Sequence, residues 1–330
     1  MKLQNCSTHQ WWVLPVTSLT NSSQFSNWTL PTTDLLTSTA SFKAPHGRPF
    51  VSLEKILSTE ELTRTSIPIG VDADGELWMH DLSGSAGILV AGITASGKSV
   101  FLDTTLVSLL YHNTPDEMGF ILIDAKRCQF ANFKDIPHLL APIIYDVPQT
   151  MAVLRWVIKE LERRYQILAK SNCRNIEQYT MHGNLRDMPR IVLLLDECSD
   201  LMVLAGDEAE SLIVRIGQLS RAVGISLIMT TSRPSSEVLR HIIRANYPDR
   251  LAFTTASRVD SENILEAPGA EKLLGKGDAL YMGQDEEGFQ HVQAPYIEQD
   301  DIVKVTKFIR GQARPSYNPS LHIRLMVEDS

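Results

Sequence analysis

The 330-residue chain is short of cysteine, of aromatic residues and of long apolar runs, and each shortage narrows what it can be. Its four cysteines, Cys6, Cys128, Cys173 and Cys198, stand far apart and form no C-x-x-C pair, which excludes a disulfide-stapled scaffold and a zinc module. They read as reduced thiols. The longest apolar stretch, Trp11-Trp12-Val13-Leu14-Pro15-Val16, is far below the roughly 20 residues of a membrane-crossing helix. The start, Met1-Lys2-Leu3-Gln4-Asn5, lacks the pattern of a secretory signal, so a cytoplasmic protein with no direct membrane insertion is expected. Basic charge is scarce as well. Thirty-one Lys and Arg stand against 39 Asp and Glu, a net charge of -8, which argues against a surface that coats nucleic acid but leaves room for a local basic loop.

What is present is ample core material: 43% of the residues are apolar and 21% charged. Residues 1–45 are rich in Ser, Thr and Asn without sustained periodicity, and read as a variable, poorly ordered arm in which Trp11, Trp12 and Trp28 are the only candidate anchors. Residues 46–85 form a small β-rich lead-in. There, residues 50–57 suggest a strand running into a short helix, and residues 68–79 have the apolar, Asp74-Gly75, apolar layout of a β-hairpin. From 86 to 312, short apolar runs at 88–91, 120–123, 191–195, 226–230 and 250–253 alternate with helical stretches. That is the signature of a mainly parallel sheet flanked by helices. Leu154, Val157, Ile158, Leu161, Tyr165 and Leu168 mark one face of a long helix on which Glu160 and Arg164 can pair, and Leu212, Ile213, Ile216 and Leu219 mark another that Gly224 stops. Residues 313–330 read as a C-terminal tail.

After the first run comes Gly92-Ile93-Thr94-Ala95-Ser96-Gly97-Lys98-Ser99, which satisfies G-x-x-x-x-G-K-S, and a helical pattern follows. The glycines permit a tight loop whose N–H groups surround phosphate oxygens at a helix N-terminus. Lys98 then reaches the β- and γ-phosphates of ATP and Ser99 offers its hydroxyl to Mg²⁺. Alone the motif is a credible chance match in a Gly/Ser turn; strand before and helix after make it specific. The run 191–195 ends in Asp196 and Glu197, at the strand end where open α/β sheets bind ligands. Asp196 suits a Mg²⁺ partner and Glu197 a general base for the attacking water. Thr230, Thr231 and Ser232 end the next run, where a polar side chain can sense the γ-phosphate. Asp124-Ala125-Lys126-Arg127 reads as a solvated sheet edge.

These residues resemble the FtsK/SpoIIIE family of DNA translocases. The likeness extends over ordered blocks: Asp124-Ala125-Lys126, Ile136-Pro137-His138-Leu139-Leu140, Glu162-Arg163-Arg164-Tyr165, Asp196-Glu197 with Asp200-Leu201-Met202, Ser220-Arg221-Ala222-Val223-Gly224-Ile225, and the stretch from Gly269 to Asp278. It covers about residues 50–311. The resemblance implies a RecA-like P-loop NTPase that assembles as a homo-hexameric ring around double-stranded DNA and moves it by ATP hydrolysis, with an arginine from a neighbouring subunit completing each site. Arg250 and Arg221 match that arginine, with Arg250 preferred. The matching DNA-facing stretches supply Arg258, Lys272 and Lys276, set against Glu262, His291 and the acidic Asp285-Glu286-Glu287 turn. Where the family commonly has Thr-Gln-Arg-Pro, this chain has Thr231-Ser232-Arg233-Pro234. Ser232 is too short to reach where a glutamine amide would, so either hydrolysis is slower or Thr230 or Thr231 does the sensing.

The chain carries no counterpart of the membrane helices or the winged-helix module of the full-length division proteins. A compact motor for a plasmid, phage or other mobile element is therefore expected, brought to its site by a membrane or replicon-encoded adaptor. Two other classes stay open: a type VII-like secretion or conjugative coupling ATPase acting on polypeptide or nucleoprotein, and a regulatory module that binds ATP without moving anything.

Overall fold

A computed structural model describes residues 28–36, 51–58, 62–181, 188–284 and 288–328. In chain order its first elements are α1 (Leu53–Leu57), β1 (Ser66–Val71), β2 (Leu77–Asp81), β3 (Gly87–Ala91), α2 (Lys98–His112), β4 (Met118–Asp124), α3 (Val147–Lys170) and α4 (Ile176–Met181). Then come β5 (Arg190–Asp196), α5 (Ser199–Leu219), β6 (Ile225–Thr231), α6 (His241–Asn246), β7 (Arg250–Phe253) and α7 (Arg258–Leu265). The chain closes with β8 (Asp278–Met282), β9 (Gln290–Gln293), α8 (Gln299–Gln312) and α9 (Pro319–Glu328).

Among the described residues nine strands form one sheet in the order β2-β1-β9-β8-β7-β3-β6-β5-β4. The five apolar runs are the parallel half, β7-β3-β6-β5-β4. They read as unbroken apolar stretches because both faces are covered. Ile88 and Val90 of β3 point into a core shared with α2 and α8, while Leu89 and Ala91 point into one shared with α3 and α5. β7, β8, β9, β1 and β2 continue the sheet antiparallel. β9 is short and half polar, only Gln290-His291-Val292-Gln293, whereas β8 carries the apolar run Ala279-Leu280-Tyr281-Met282, which the reading of the sequence passes over.

α3 starts where Asp146 accepts a hydrogen bond from the Gln149 N–H (2.8 Å), and its apolar stripe packs against the sheet and α5. Arg164 does pair with Glu160 (2.8 Å) but is buried, donating also to the carbonyls of Val223 (2.8 Å) and Pro189 (2.7 Å). It therefore ties α3 to the segments that lead into β5 and β6.

Three segments differ from the reading of the sequence. The hairpin β1–β2 is continuous with the main sheet, since Val71 pairs with Gln293 of β9 and Ile67 and Ile69 lie in the same core cluster as Ile88. Within the expected arm, residues 28–36 are packed: Trp28 meets His138 edge-on (centroids 5.3 Å apart), Leu36 is buried, and the Tyr111 hydroxyl donates to the Thr32 carbonyl (2.9 Å). Trp11, Trp12 and the Asp285–Glu287 turn lie outside the described residues. In the expected tail, α9 docks on α3, burying Leu321 and Leu325 and accepting a hydrogen bond from the Trp156 indole at Ser320 (2.8 Å). No helix among the described residues is long and apolar enough to cross a membrane.

Candidate active site

The parallel order sets the site. β6 lies between β3, which leads into the glycine-rich loop, and β5, which ends in Asp196, so three strand ends converge on one cleft. The cleft has a volume of ≈ 430 Å³ and is lined by residues of the loop 94–100, Lys126, Cys128, Gln129, Asp196, Glu197, Ser232, Lys276, Gly277 and the segment 293–296.

The loop is locked from several sides. The Gly92 N–H donates to Thr231 (3.3 Å), the Ile93 N–H to Thr254 (2.8 Å), and the Gly277 N–H to Ser96 (3.0 Å). Gly97 has φ 133°, and a Cβ there would come within 2.9 Å of the Phe253 ring and 3.0 Å of the Gly277 backbone; only glycine fits that crossing. The first turn of α2 leaves the N–H groups of Lys98, Ser99 and Val100 without intrahelical partners, facing the cleft as an anion cradle. The Lys98 ammonium donates to the carbonyls of Gly92 (2.5 Å) and Ile93 (2.9 Å) of the loop. Burial pushes its pKa down to about 8 against the pull of Glu197 and Asp196, and the charge of Lys126 pushes the same way as burial.

Asp196 ends β5, and burial raises its pKa; its Oδ1 accepts a hydrogen bond from the Thr230 hydroxyl (2.8 Å). In register beside it on β4 is Asp124, whose Oδ2 accepts from the Phe130 N–H (3.1 Å) and whose buried Oδ1 has no partner among the described residues. Asp103, one turn into α2, is pushed up to about 8 by burial, against a hydrogen bond from Gln129. Hard oxygen donors at Ser99 and Asp196, both lining the cleft, fit a Mg²⁺ ion that arrives with phosphates. Among the described residues no cluster of His, Cys, Asp and Glu would hold a metal without them.

Glu197 has a left-handed backbone, φ 59°, a conformation that costs a non-glycine residue of order 1–3 kcal/mol. The turn directs its carboxylate toward the end of β6. The side chain is 5% exposed and collects hydrogen bonds from the Ser199 hydroxyl (2.6 Å), the Thr231 hydroxyl (3.1 Å), the Ser232 N–H (3.0 Å), the Ser232 hydroxyl and the Lys126 ammonium (2.9 Å). Burial alone would raise its pKa; the bonds from Ser199, Ser232 and Lys126 outweigh it and hold the carboxyl at about 2.

The expected phosphate-binding and carboxylate residues thus converge. Ser232 is present too, bonded to Glu197. Lys126, expected at a solvated edge, sits in the site, and the outer wall of Gln293, Pro295 and Tyr296 had no motif to announce it. Lys276, expected on a DNA-facing loop, lines the same cleft, because Gly277 is bonded over the phosphate loop. Arg250 does not suit a finger: only 5% exposed, it donates to the carbonyls of Tyr247 (3.3 Å), Ile264 (3.0 Å) and Arg244 (2.9 Å) and to Glu266 (3.2 Å), all within its own subunit. Arg221 is exposed, pairs with nothing among the described residues, and lies at the opposite end of β6 from the cleft. Arg258 is 70% exposed but bound to Glu262 (2.7 Å), His291 pairs with Asp278 (2.6 Å), and Lys272 is exposed.

Residues 54–186 and 179–236, together more than half of the chain, match the model of the FtsK/SpoIIIE family. The chain is 38% identical over 300 residues to "DNA translocase FtsK" of Haemophilus influenzae, covering 82% of this chain and 57% of that protein. It is 42% identical over 272 residues to the protein of the same name in Leptospira interrogans, covering 80% of this chain and 29% of that one. It therefore spans little more than half, or less, of these relatives. Among solved structures it is similar to the cytoplasmic domain of the Thermomonospora curvata type VII secretion ATPase EccC (TM-score 0.72, 26% identity, 82% of this chain and 35% of that one). It is similar also to the pCW3 conjugation coupling protein TcpA with ATPγS (TM-score 0.66, 26% identity, 79% and 73%). With a RecA-like sheet, a phosphate loop and paired carboxylates at neighbouring strand ends, the chain belongs to the FtsK/SpoIIIE family and carries a P-loop ATPase site.

Proposed function

We propose that the chain is the ATP-hydrolysing motor unit of a double-stranded DNA translocase, working as a homo-hexameric ring that serves the transfer, packaging or segregation of a mobile DNA element. The observation that carries this is Glu197, a buried and oriented carboxylate facing the same cleft as Lys98, Ser99 and Asp196, in a chain whose curated relatives are named DNA translocases. Lys98 and the α2 N-terminus hold the phosphates, Glu197 orients and polarises the attacking water, and Thr230 and Thr231 fix the two carboxylates. Mg²⁺, held by Ser99 and Asp196, supplies charge neutralisation on the phosphates. Arg221 is the residue available to a neighbour's site.

The test is the ATPase rate of the purified chain with and without long double-stranded DNA across a salt series. Stimulation that falls as salt rises supports the proposal, because phosphate contacts release counterions. A second reading, an ATPase that engages polypeptide, is favoured by the likeness to the secretion ATPase and by the pairing of Arg258 with Glu262. An absence of DNA stimulation at low salt would select it.

A further inference from the structure

Glu197 is held by two kinds of partner. Ser199 opens α5 directly after β5, Thr231 and Ser232 stand at the end of β6, and these donors stay where the packed elements put them. Lys126 comes from the loop after β4, its side chain is 51% exposed, and it reaches into the cleft on a flexible stem to sit 2.9 Å from Glu197 Oε2. It is also close enough to Lys98 for the two ammonium charges to repel. Three lysines line the cleft, Lys98, Lys126 and Lys276; the first rests on backbone carbonyls and the second on the group that must engage water. Neither resting bond survives well against a phosphate oxygen, since phosphate carries more charge than a single carboxylate and binds an ammonium as a point charge.

Building on the nucleotide reading above, we infer that Lys126 is a γ-phosphate-responsive positioning residue, which restrains Glu197 while the cleft lacks a γ-phosphate and transfers to that phosphate when ATP binds. No bond is made or broken in the exchange; one ion pair replaces another. Loss of the ammonium leaves Glu197 with the donors of Ser199, Thr231 and Ser232, which keep it aimed. ADP lacks the γ-phosphate and so leaves the restraint in place. Hydrolysis and phosphate departure would return Lys126 to Glu197, so the carboxylate is free only while there is something to hydrolyse.

The experiment compares the affinities of ATPγS and ADP, both with Mg²⁺, for the wild-type chain and for Lys126→Ala and Lys126→Arg, with thermal melting to check that each variant is folded. Lys126→Ala is expected to bind ATPγS about tenfold or more weakly while its ADP affinity stays within about twofold, and Lys126→Arg to recover most of the loss. Equal loss of both nucleotides, or no loss of either, would overturn the inference. If the wild-type chain bound neither nucleotide, the ATPase reading would fall and this inference with it, a result distinct from any confined to the variants.

Discussion

Glu197 at the end of β5 and Arg250 at the start of β7 are each 5% exposed, each charged and each bound to several partners, yet they do opposite things. The partners tell them apart. Arg250 is spent on backbone carbonyls of Tyr247, Ile264 and Arg244, which cannot turn away, and its guanidinium joins α6, α7 and β7 as a structural clamp. Glu197 is held by hydroxyls, one N–H and an ammonium, in a strained backbone turn that opens on a cleft. Burial and a full set of hydrogen bonds are common to a structural and a working charge. What separates them is whether the partners can be exchanged and whether strain has been accepted to aim the group.

The sharpest way to break this contrast is Glu197→Gln, which should lower kcat by about 10²–10⁴-fold, the range of general-base catalysis, while leaving ATPγS binding and the melting temperature close to wild type. Arg250→Ala should do the reverse. It leaves the buried carbonyls of Tyr247 and Ile264 without this donor and should cost roughly 2 kcal/mol or more in denaturant unfolding. If Arg250→Ala instead melted normally and lost only ATPase activity, its reading as a clamp would be wrong. Arg221→Ala, by comparison, should melt as wild type.

pH extends the comparison to Lys98, whose pKa burial lowers to about 8. Phosphate favours the charged ammonium, so below pH 8 binding needs no proton, and above it each binding event takes one up. Affinity for ADP measured without Mg²⁺ should therefore hold steady below about pH 8 and then fall with rising pH, approaching about tenfold per unit. Omitting Mg²⁺ matters because Asp103 also titrates at about 8, and ionising it for a metal would act in the opposite direction. A flat profile to pH 9.5 would show that Lys98 is charged before nucleotide arrives. The smallest effect is expected at Ser232, one of several donors to Glu197: Ser232→Gln, whose amide also donates, should hold the ATPase rate within about threefold of wild type. A collapse to the level of Lys98→Ala would make Ser232 indispensable.

The parallel half of the fold was legible because strands buried on both faces must be continuously apolar, and the loop and Asp196-Glu197 were legible because their chemistry needs fixed spacing. β9 was not, since a short antiparallel strand such as Gln290–Gln293 shows neither an apolar run nor a clear alternation; β8 does carry a run, Ala279–Met282, no longer than four residues. Lys126 looked like an ordinary edge lysine because nothing in a local pattern records that β4 and β5 end side by side, with Asp124 opposite Asp196. Arg250 was misjudged for a related reason: its position matches a motif, but the direction of its side chain depends on Ile264 and Glu266, on the far side of α7.

β6 is hydrogen-bonded along its length to β3 on one side and β5 on the other, and its end also bonds the turn of the phosphate loop and both carboxylates. Phosphate loop and carboxylates are thus two ends of one ladder, and they cannot separate without shearing it. Any work extracted from hydrolysis has to leave through the surface loops and side chains around this block, as a change in how the block meets its surroundings, because the block itself has no joint.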